Sequence, residues 1–233
     1  MFLQPQTWII SDKNKDIMNI WKTVSMTDAK YNIGHEIIVL GQEILDGDHK
    51  EKAKELISIL EKNKLGPKRA ALYLTINNCA YMGILTNKTG FFFNGFEGCF
   101  YKKGKPSFME ESYQNNLEDV RSFVTNSKGI MKACDYKKTL EQAKQGDFVF
   151  LDPPYVEDKN YKFVYNRCDN LFDYQDLLDS LKELDRKGVM WMMTQADTPG
   201  VRKMFEGYRL KTFRVYRRKS RTHKNELIVM NYR

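Results

Sequence analysis

Gly146-Asp147-Phe148-Val149-Phe150-Leu151-Asp152-Pro153-Pro154-Tyr155 is a short apolar strand that runs straight into an acid, two prolines and an aromatic ring. A carboxylate, a rigid turn and a flat stacking face thus meet at one strand end. Such a group suits methyl transfer to an amino group conjugated to a ring. In adenine the lone pair of the exocyclic nitrogen is delocalised into the purine, and it becomes nucleophilic only when both amino hydrogens are held. Asp152 Oδ and a prolyl carbonyl can hold them. Two successive prolines fix φ, so the Pro153 carbonyl can be aimed with little further loss of entropy. Tyr155 offers a face on which a base can stack. Taken alone, Asp-Pro-Pro is also an ordinary strand exit into a loop, so the surrounding chain has to decide.

Length and charge narrow the choice. A chain of 233 residues can bury a real core as one domain, or as one domain with an inserted lobe. Lys and Arg number 38 against 30 Asp and Glu, a formal charge of +8. That excess favours a polyanionic partner, nucleic acid first, with an anionic membrane surface or a basic exterior without a partner as weaker readings. No apolar run approaches a membrane span, and Met1-Phe2-Leu3-Gln4-Pro5 is no secretory leader, so a soluble, intracellular, cytoplasmic protein is expected. Cys79, Cys99, Cys134 and Cys168 are scattered without a C-x-x-C pair, which predicts reduced, mostly buried thiols. His35, His49 and His223 have no metal-ligand spacing to one another, and no metal site is expected.

Outward from the tetrapeptide, apolar runs alternate with helical periods. Thr7 to Asp12 reads as a strand ending on an acid, followed by Ile17, Ile20, Trp21 and Val24 at helical spacing. Between Asp28 and Asn78 the pattern is helical, with a new start at Gly66-Pro67. Leu117 to Val124 predicts a helix, Gly129 to Cys134 a strand, and Thr139 to Ala143 a helix. After the tetrapeptide, Leu177, Leu178, Leu181 and Leu184 predict a helix and Val189 to Met193 a strand. This β-α-β-α-β order predicts a mostly parallel sheet covered by helices, with the methionines in the core.

Two stretches suggest contacts with a polyanion. From Asn77 to Pro106, aromatic rings interleave with Lys88, Lys102, Lys103 and Lys105, a pairing that suits stacking on bases and contact with phosphates. Packing within the lobe is the ordinary role for most of these rings, and Tyr81 is set apart as the one expected against nucleic acid. Near the end, Tyr208 to Tyr216 and Glu226 to Tyr232 predict a hairpin whose connection carries Arg217, Arg218, Lys219, Arg221 and Lys224. That block reads equally as a solvated loop or as a phosphate contact.

Several motifs in succession carry a family resemblance over nearly the whole chain. They are Ser11-Asp12-Lys13-Asn14-Lys15-Asp16-Ile17, Arg69-Ala70-Ala71-Leu72-Tyr73-Leu74, Tyr81-Met82-Gly83, Asn87-Lys88-Thr89-Gly90, Cys134-Asp135-Tyr136, Asp152-Pro153-Pro154-Tyr155 and Asn225-Glu226-Leu227-Ile228. The series resembles the Dam-type DNA adenine methyltransferases. The resemblance implies an α/β fold with a Rossmann-like methyltransferase sheet, mostly parallel with an antiparallel C-terminal hairpin. It divides the chain into a core of residues 1–24 and 108–233 and an inserted, mainly helical DNA-recognition lobe of residues 25–107. It further implies S-adenosylmethionine as cofactor and DNA as partner, with Asp12 on the cofactor's ribose hydroxyls and Asp135 and Tyr136 beside its adenine. A helix N-cap role for Asp12 is compatible with this. Asp152, Pro153, Pro154 and Tyr155 become the catalytic motif, clamping an adenine rotated out of the duplex for direct attack on the sulfonium methyl. Tyr81 becomes a wedge in the opened stack; Asn87, Lys88, Arg217, Arg218 and Arg221 are the remaining DNA-contact candidates.

The sequence departs from the family pattern twice. It contains no Gly-x-Gly, so the Phe-x-Gly-x-Gly loop that lies along the methionine end of the cofactor is missing, and with it the first βα unit of the sheet. Where Dam-like members place a guanine-reading arginine, this chain has Ile84-Leu85-Thr86, so the resemblance does not carry over GATC as the target. The first departure leaves three readings: the large subunit of a split enzyme whose glycine loop comes from a small protein partner, a non-catalytic DNA-binding or regulatory subunit, or a truncated enzyme; a bare strand edge where the first strand should lie predicts a partner or self-association. The retained acids and the complete tetrapeptide favour the first.

Overall fold

The computed structural model describes residues 5–26, 32–80, 86–87, 90–91, 101–102, 105–155, 172–217 and 222–232. The chain packs as two compact units, Met1–Tyr136 and Lys137–Arg233, each taken by itself below.

In the first unit, β1 (Thr7–Asp12) and β6 (Lys128–Ala133) form a parallel pair whose register runs from Thr7 opposite Lys128 to Asp12 opposite Ala133. Gly129 faces Trp8 across this pair. A Cβ on Gly129 would lie 2.0 Å from the indole, so the position has room only for glycine. The same ring stacks on Phe123 at 5.9 Å and donates from Nε1 to Ser127 Oγ at 2.7 Å. Trp8 thereby ties the strand pair to the end of the preceding helix.

Between these strands lie α1 (Lys15–Val24), α2 (Ile33–Asp46), α3 (His49–Lys62), α4 (Pro67–Cys79) and α5 (Glu111–Asn126). Two-residue strand pairs, β2 (Thr86–Asn87) with β3 (Gly90–Phe91) and β4 (Tyr101–Lys102) with β5 (Lys105–Pro106), precede a 3₁₀ turn at Ser107–Met109. Helix α4 starts as the Gly66-Pro67 signal predicts, with proline in the first turn. It is buried on several faces, through Ala70, Ala71, Leu72, Tyr73, Ile76 and Cys79, because α1, α2 and α3 all pack on it. Ile37, Ile44, Leu56, Leu60 and Phe108 complete this helical core. In α1 the buried positions are Met18, Asn19, Thr23 and Val24; of the expected apolar spacing Val24 is buried, and Ile17, Ile20 and Trp21 are half-buried. The polar Asn19 is accommodated because its Nδ2 donates to the Gly66 carbonyl at 2.9 Å.

One ion pair holds these helices together. Arg69 on α4 forks onto Asp16 of α1, Nε to Oδ1 at 2.5 Å and Nη2 to Oδ2 at 3.0 Å. Its Nη1 donates to the carbonyls of Leu60 and Asn63 at the end of α3, at 2.6 and 2.7 Å. Both side chains are only 13% exposed. The planar guanidinium suits this bidentate geometry, and the neighbouring carboxylate raises the Arg69 pKa further.

The second unit contains β7 (Phe148–Leu151), α7 (Tyr174–Arg186), β8 (Met190–Ala196), α8 (Pro199–Met204), β9 (Arg209–Arg217) and β10 (Thr222–Met230). Helix α6 (Tyr136–Leu140) starts on the last residue of the first unit, three residues before the expected Thr139. The sheet order is β7-β8-β10-β9, with β7 and β8 parallel and the other pairs antiparallel. The expected C-terminal hairpin is therefore present, and the longer described strands split into a parallel pair and a mixed sheet. Helix α7 ends on Gly188, whose φ of +68° is the left-handed turn that lets the chain enter β8.

One face of the second sheet is a core of Leu177, Leu181 and Leu184 of α7 with Trp191, Met193, Leu227, Val229, Val201 and Phe205. The other face stays open at Phe148, Phe150 and Met190, which are 42, 55 and 45% exposed. The methionines therefore divide: Met18, Met193 and Met230 are core as expected, whereas Met26 and Met190 are exposed. Met190 comes out because strand alternation turns it to the face opposite Trp191. Of the cysteines, Cys79 is a buried thiol, its pKa raised by burial, and Cys134 is a half-buried thiol; Cys99 and Cys168 lie outside the described residues. No helix among the described residues is long and apolar enough to cross a membrane.

Removing one partner of the Arg69–Asp16 pair strands a largely buried charge. Asp16→Ala is expected to lower unfolding free energy by about 3 kcal/mol, measured by urea titration, and Arg69→Met by at least as much, because it strands the Asp16 carboxylate and also takes the donor from the Leu60 and Asn63 carbonyls.

Candidate active site

Parallel pairing brings the first group of expected site residues together. Asp12 is the last residue of β1, and its carbonyl accepts from Cys134 N at 3.0 Å, so the chain enters Asp135 and Tyr136 directly beside it. Carboxyl ends of parallel strands are where ligands bind in open α/β sheets. Asp12 Oδ1 accepts from Asn14 N at 2.6 Å, which fixes the turn into α1. The cap of that helix is Asn14, whose side chain accepts from Asp16 N and Ile17 N; the N-cap role for Asp12 is corrected by two residues. Asn14 Nδ2 in turn donates to the Tyr73 hydroxyl at 3.2 Å, and burial raises the pKa of that phenol. Asp12, Asp135 and Tyr136 are each half-buried. Carboxylates on neighbouring strand ends can accept from hydroxyl or amino donors of a ligand.

The second group lies past the end of β7. Asp152 is exposed, and its Oδ1 accepts from Thr194 Oγ1 at 2.6 Å. Pro153 is buried; the carbonyl of Pro154 accepts from Gln195 Nε2 at 2.9 Å and from the Tyr174 hydroxyl. Pro154's carbonyl is thus committed to the protein, and Pro153's is the prolyl oxygen expected to face a ligand. Tyr155 donates its hydroxyl to Glu226 Oε2 at 3.1 Å. Burial, with the two nearby carboxylates, pushes the Tyr155 phenol up to about 12, so it is a neutral donor at any working pH.

The sequence alone singles out the tetrapeptide but assigns no role to Thr194, Gln195, Tyr174 or Glu226. The signal it does carry is the polar Thr194-Gln195 at the end of an otherwise apolar strand. Gln195 is fully buried, and an amide at such a position needs a partner, which Pro154 supplies. Among the DNA-contact candidates, Tyr81, Lys88, Arg218 and Arg221 lie outside the described residues. Asn87 lies in β2, and Arg217 ends β9 opposite Thr222.

Residues 1–223 match the model of the D12 class N6 adenine-specific DNA methyltransferases. The chain belongs to that family. It is 23% identical over 246 residues to the type II methyltransferase M1.LlaDCHI of Lactococcus lactis subsp. cremoris, a match covering 99% of this chain and 81% of that protein. It is also 24% identical over 211 residues to the DNA N-6-adenine-methyltransferase of Escherichia phage P1, covering 87% of this chain and 26% of the phage protein. As a D12-class methyltransferase, the chain is a DNA adenine methyltransferase by family, and the family implies S-adenosylmethionine as methyl donor.

Gln195→Ala leaves the Pro154 carbonyl short of a donor and opens a small void. A decrease of about 1 to 3 kcal/mol in unfolding free energy is expected, together with faster amide exchange at Tyr155, followed by hydrogen-exchange mass spectrometry.

Proposed function

We propose that this chain is the large subunit of a DNA adenine methyltransferase that uses S-adenosylmethionine, with Asp152, Pro153, Pro154 and Tyr155 as its catalytic group. The observation that carries the reading is the unequal treatment of two neighbouring acceptors. Pro154's carbonyl is saturated by Gln195 and Tyr174, while Asp152 stands exposed with its Oδ1 engaged by Thr194. Asp152 Oδ2 and the Pro153 carbonyl then accept the two amino hydrogens of an extruded adenine, drawing the lone pair out of conjugation, and Tyr155 supports the ring.

The half-site at the ends of β1 and β6 fits part of the cofactor. Its carboxylates are acceptors, and the ribose diol and adenine amino group offer donors, so Asp12 would hold the ribose and Asp135 with Tyr136 the adenine. When bound, the cofactor supplies a methyl group on a positively charged sulfonium. Nothing in the 233 residues matches the glycine loop expected at its methionine end.

A small protein partner carrying that loop on a strand and helix is therefore part of the proposal. Supporting it, β7 is an edge of its sheet among the described strands, and the face beside that edge exposes Phe148, Phe150 and Met190. An added strand would pair with the open backbone of β7, and a helix following it would cover the phenyl rings. On the DNA side, residues 25–107 act as the recognition lobe, Tyr81 wedges into the opened stack, and Asn87, Lys88, Arg217, Arg218 and Arg221 approach the duplex.

Asp152→Ala is expected to abolish tritiated methyl transfer to mixed-sequence DNA while DNA affinity changes less than about threefold, since the carboxylate meets the base and not a phosphate; retained turnover would sink the catalytic assignment. Replacing Arg217, Arg218 and Arg221 with glutamine should lower the slope of log K against log salt by about one for each phosphate that is no longer neutralised. Phe150→Glu should release a copurifying glycine-loop protein and lower the affinity for S-adenosylmethionine, read by titration calorimetry; an unchanged complex would argue against the β7 surface.

A further inference from the structure

A catalytic carboxylate on a loop has an orientation problem. Rotation about χ2 presents either oxygen, and that torsion is broad and roughly two-fold in aspartate. Asp152 is exposed, so packing does not select one orientation. Tyr155 is equally dependent on its polar end, because a phenol held only by its ring face can slide. Holding both amino hydrogens of a base requires two acceptors fixed to within a few tenths of an ångström, with the base supported between them.

The sheet supplies fixed points for both side chains. Strands β8 and β10 are its interior strands, each paired on two sides, whereas β7 is an edge among the described strands. Thr194 on β8 is held opposite Ile228 of β10, and Glu226 on β10 is held opposite Ala196 of β8. Thr194 donates to Asp152 Oδ1 at 2.6 Å, and Glu226 Oε2 accepts from the Tyr155 hydroxyl at 3.1 Å. Each interior strand thus supplies one anchor, Glu226 for Tyr155 and Thr194 for Asp152.

We propose that Thr194 and Glu226 are positioning residues for methyl transfer, Thr194 engaging one carboxylate oxygen so that Asp152 presents the other, and Glu226 anchoring the ring of Tyr155 through its hydroxyl. Neither residue touches the base; each acts through its partner. The proposal rests on the reading of Asp152 as the catalytic acceptor. It adds that the rigidity of the catalytic loop comes from the two interior strands and not from the strand that leads into it. The hydrogen bond from Thr194 goes to a charged group, which places it among the stronger ones.

The test uses the chain with any copurifying partner, S-adenosylmethionine and duplex DNA rich in adenine. Thr194→Val keeps the side-chain shape and removes the donor. It is expected to lower kcat by about 10- to 100-fold with the KM for DNA within about twofold, and Thr194→Ser should recover most of the activity. Glu226→Gln retains an acceptor for Tyr155 and should stay within about threefold of the parent, whereas Glu226→Leu should dim the signal of a fluorescent base analogue at the target. In a Tyr155→Phe background, Glu226→Leu should have no further effect, because Glu226 acts only through that hydroxyl. Asp152→Ala, run alongside, separates the two levels. If Asp152→Ala is inactive while Thr194→Val matches the parent in kcat, the positioning role is overturned and the catalytic assignment stands; if Asp152→Ala turns over normally, both fall. Full additivity of Glu226→Leu with Tyr155→Phe, or a Thr194→Val defect that Thr194→Ser does not recover, also overturns the proposal.

Discussion

In a parallel pair the carboxyl ends of neighbouring strands lie at the same edge, and within each unit this constraint places one group of candidate residues. Because β1 and β6 run together, the acid that ends one strand sits beside the Cys134-Asp135-Tyr136 exit of the other. Because β7 and β8 run together, Asp152 leaves its strand beside Thr194 and not beside Val189. An antiparallel partner would have put a strand start at that edge, with no polar end to meet the carboxylate. The residues on either side of each contact are far apart in sequence, and pairing direction alone makes them neighbours.

Around these edges the molecule uses its polar contacts to hold loops still. The Arg69 fork ties α1 to α3 and α4, and α1 is the helix that Asp12 and Asn14 lead into. In the second unit the buried Gln195 amide donates to one carbonyl of the tetrapeptide, and Tyr174 from α7 donates to the same atom. Saturating Pro154 in this way leaves Asp152 and the Pro153 carbonyl as the acceptors of the proposed catalytic group. Preorganisation of this kind lowers the reorganisation needed at the moment of transfer, which is the largest contribution a protein makes to such chemistry.

The open side of the second sheet contrasts with its closed side. Trp191, Met193, Leu227 and Val229 are sealed under α7 and α8, while alternate positions of the same sheet, Phe148, Phe150 and Met190, face outward beside its β7 edge. Apolar rings beside an open strand edge form a surface suited to a further strand and helix.

Periodicity and punctuation in the sequence determined most of the elements. The strand from Thr7 to Asp12, the proline-started helix at Pro67, the leucine helix before β8 and the terminal hairpin all follow from local rules, and so does the tetrapeptide as a chemical group. Local rules failed where a partner outside the segment decided. Asn19 of α1 is buried because it found the Gly66 carbonyl, Met190 turned outward because its strand neighbour Trp191 took the core, and the cap of α1 passed from Asp12 to Asn14. Thr194, Gln195 and Glu226 carry no motif that marks these roles. The roles arise only when β8 and β10 are paired in register beside β7, since a hydrogen bond between residues dozens of positions apart is a property of the sheet and has no trace in the spacing of the chain.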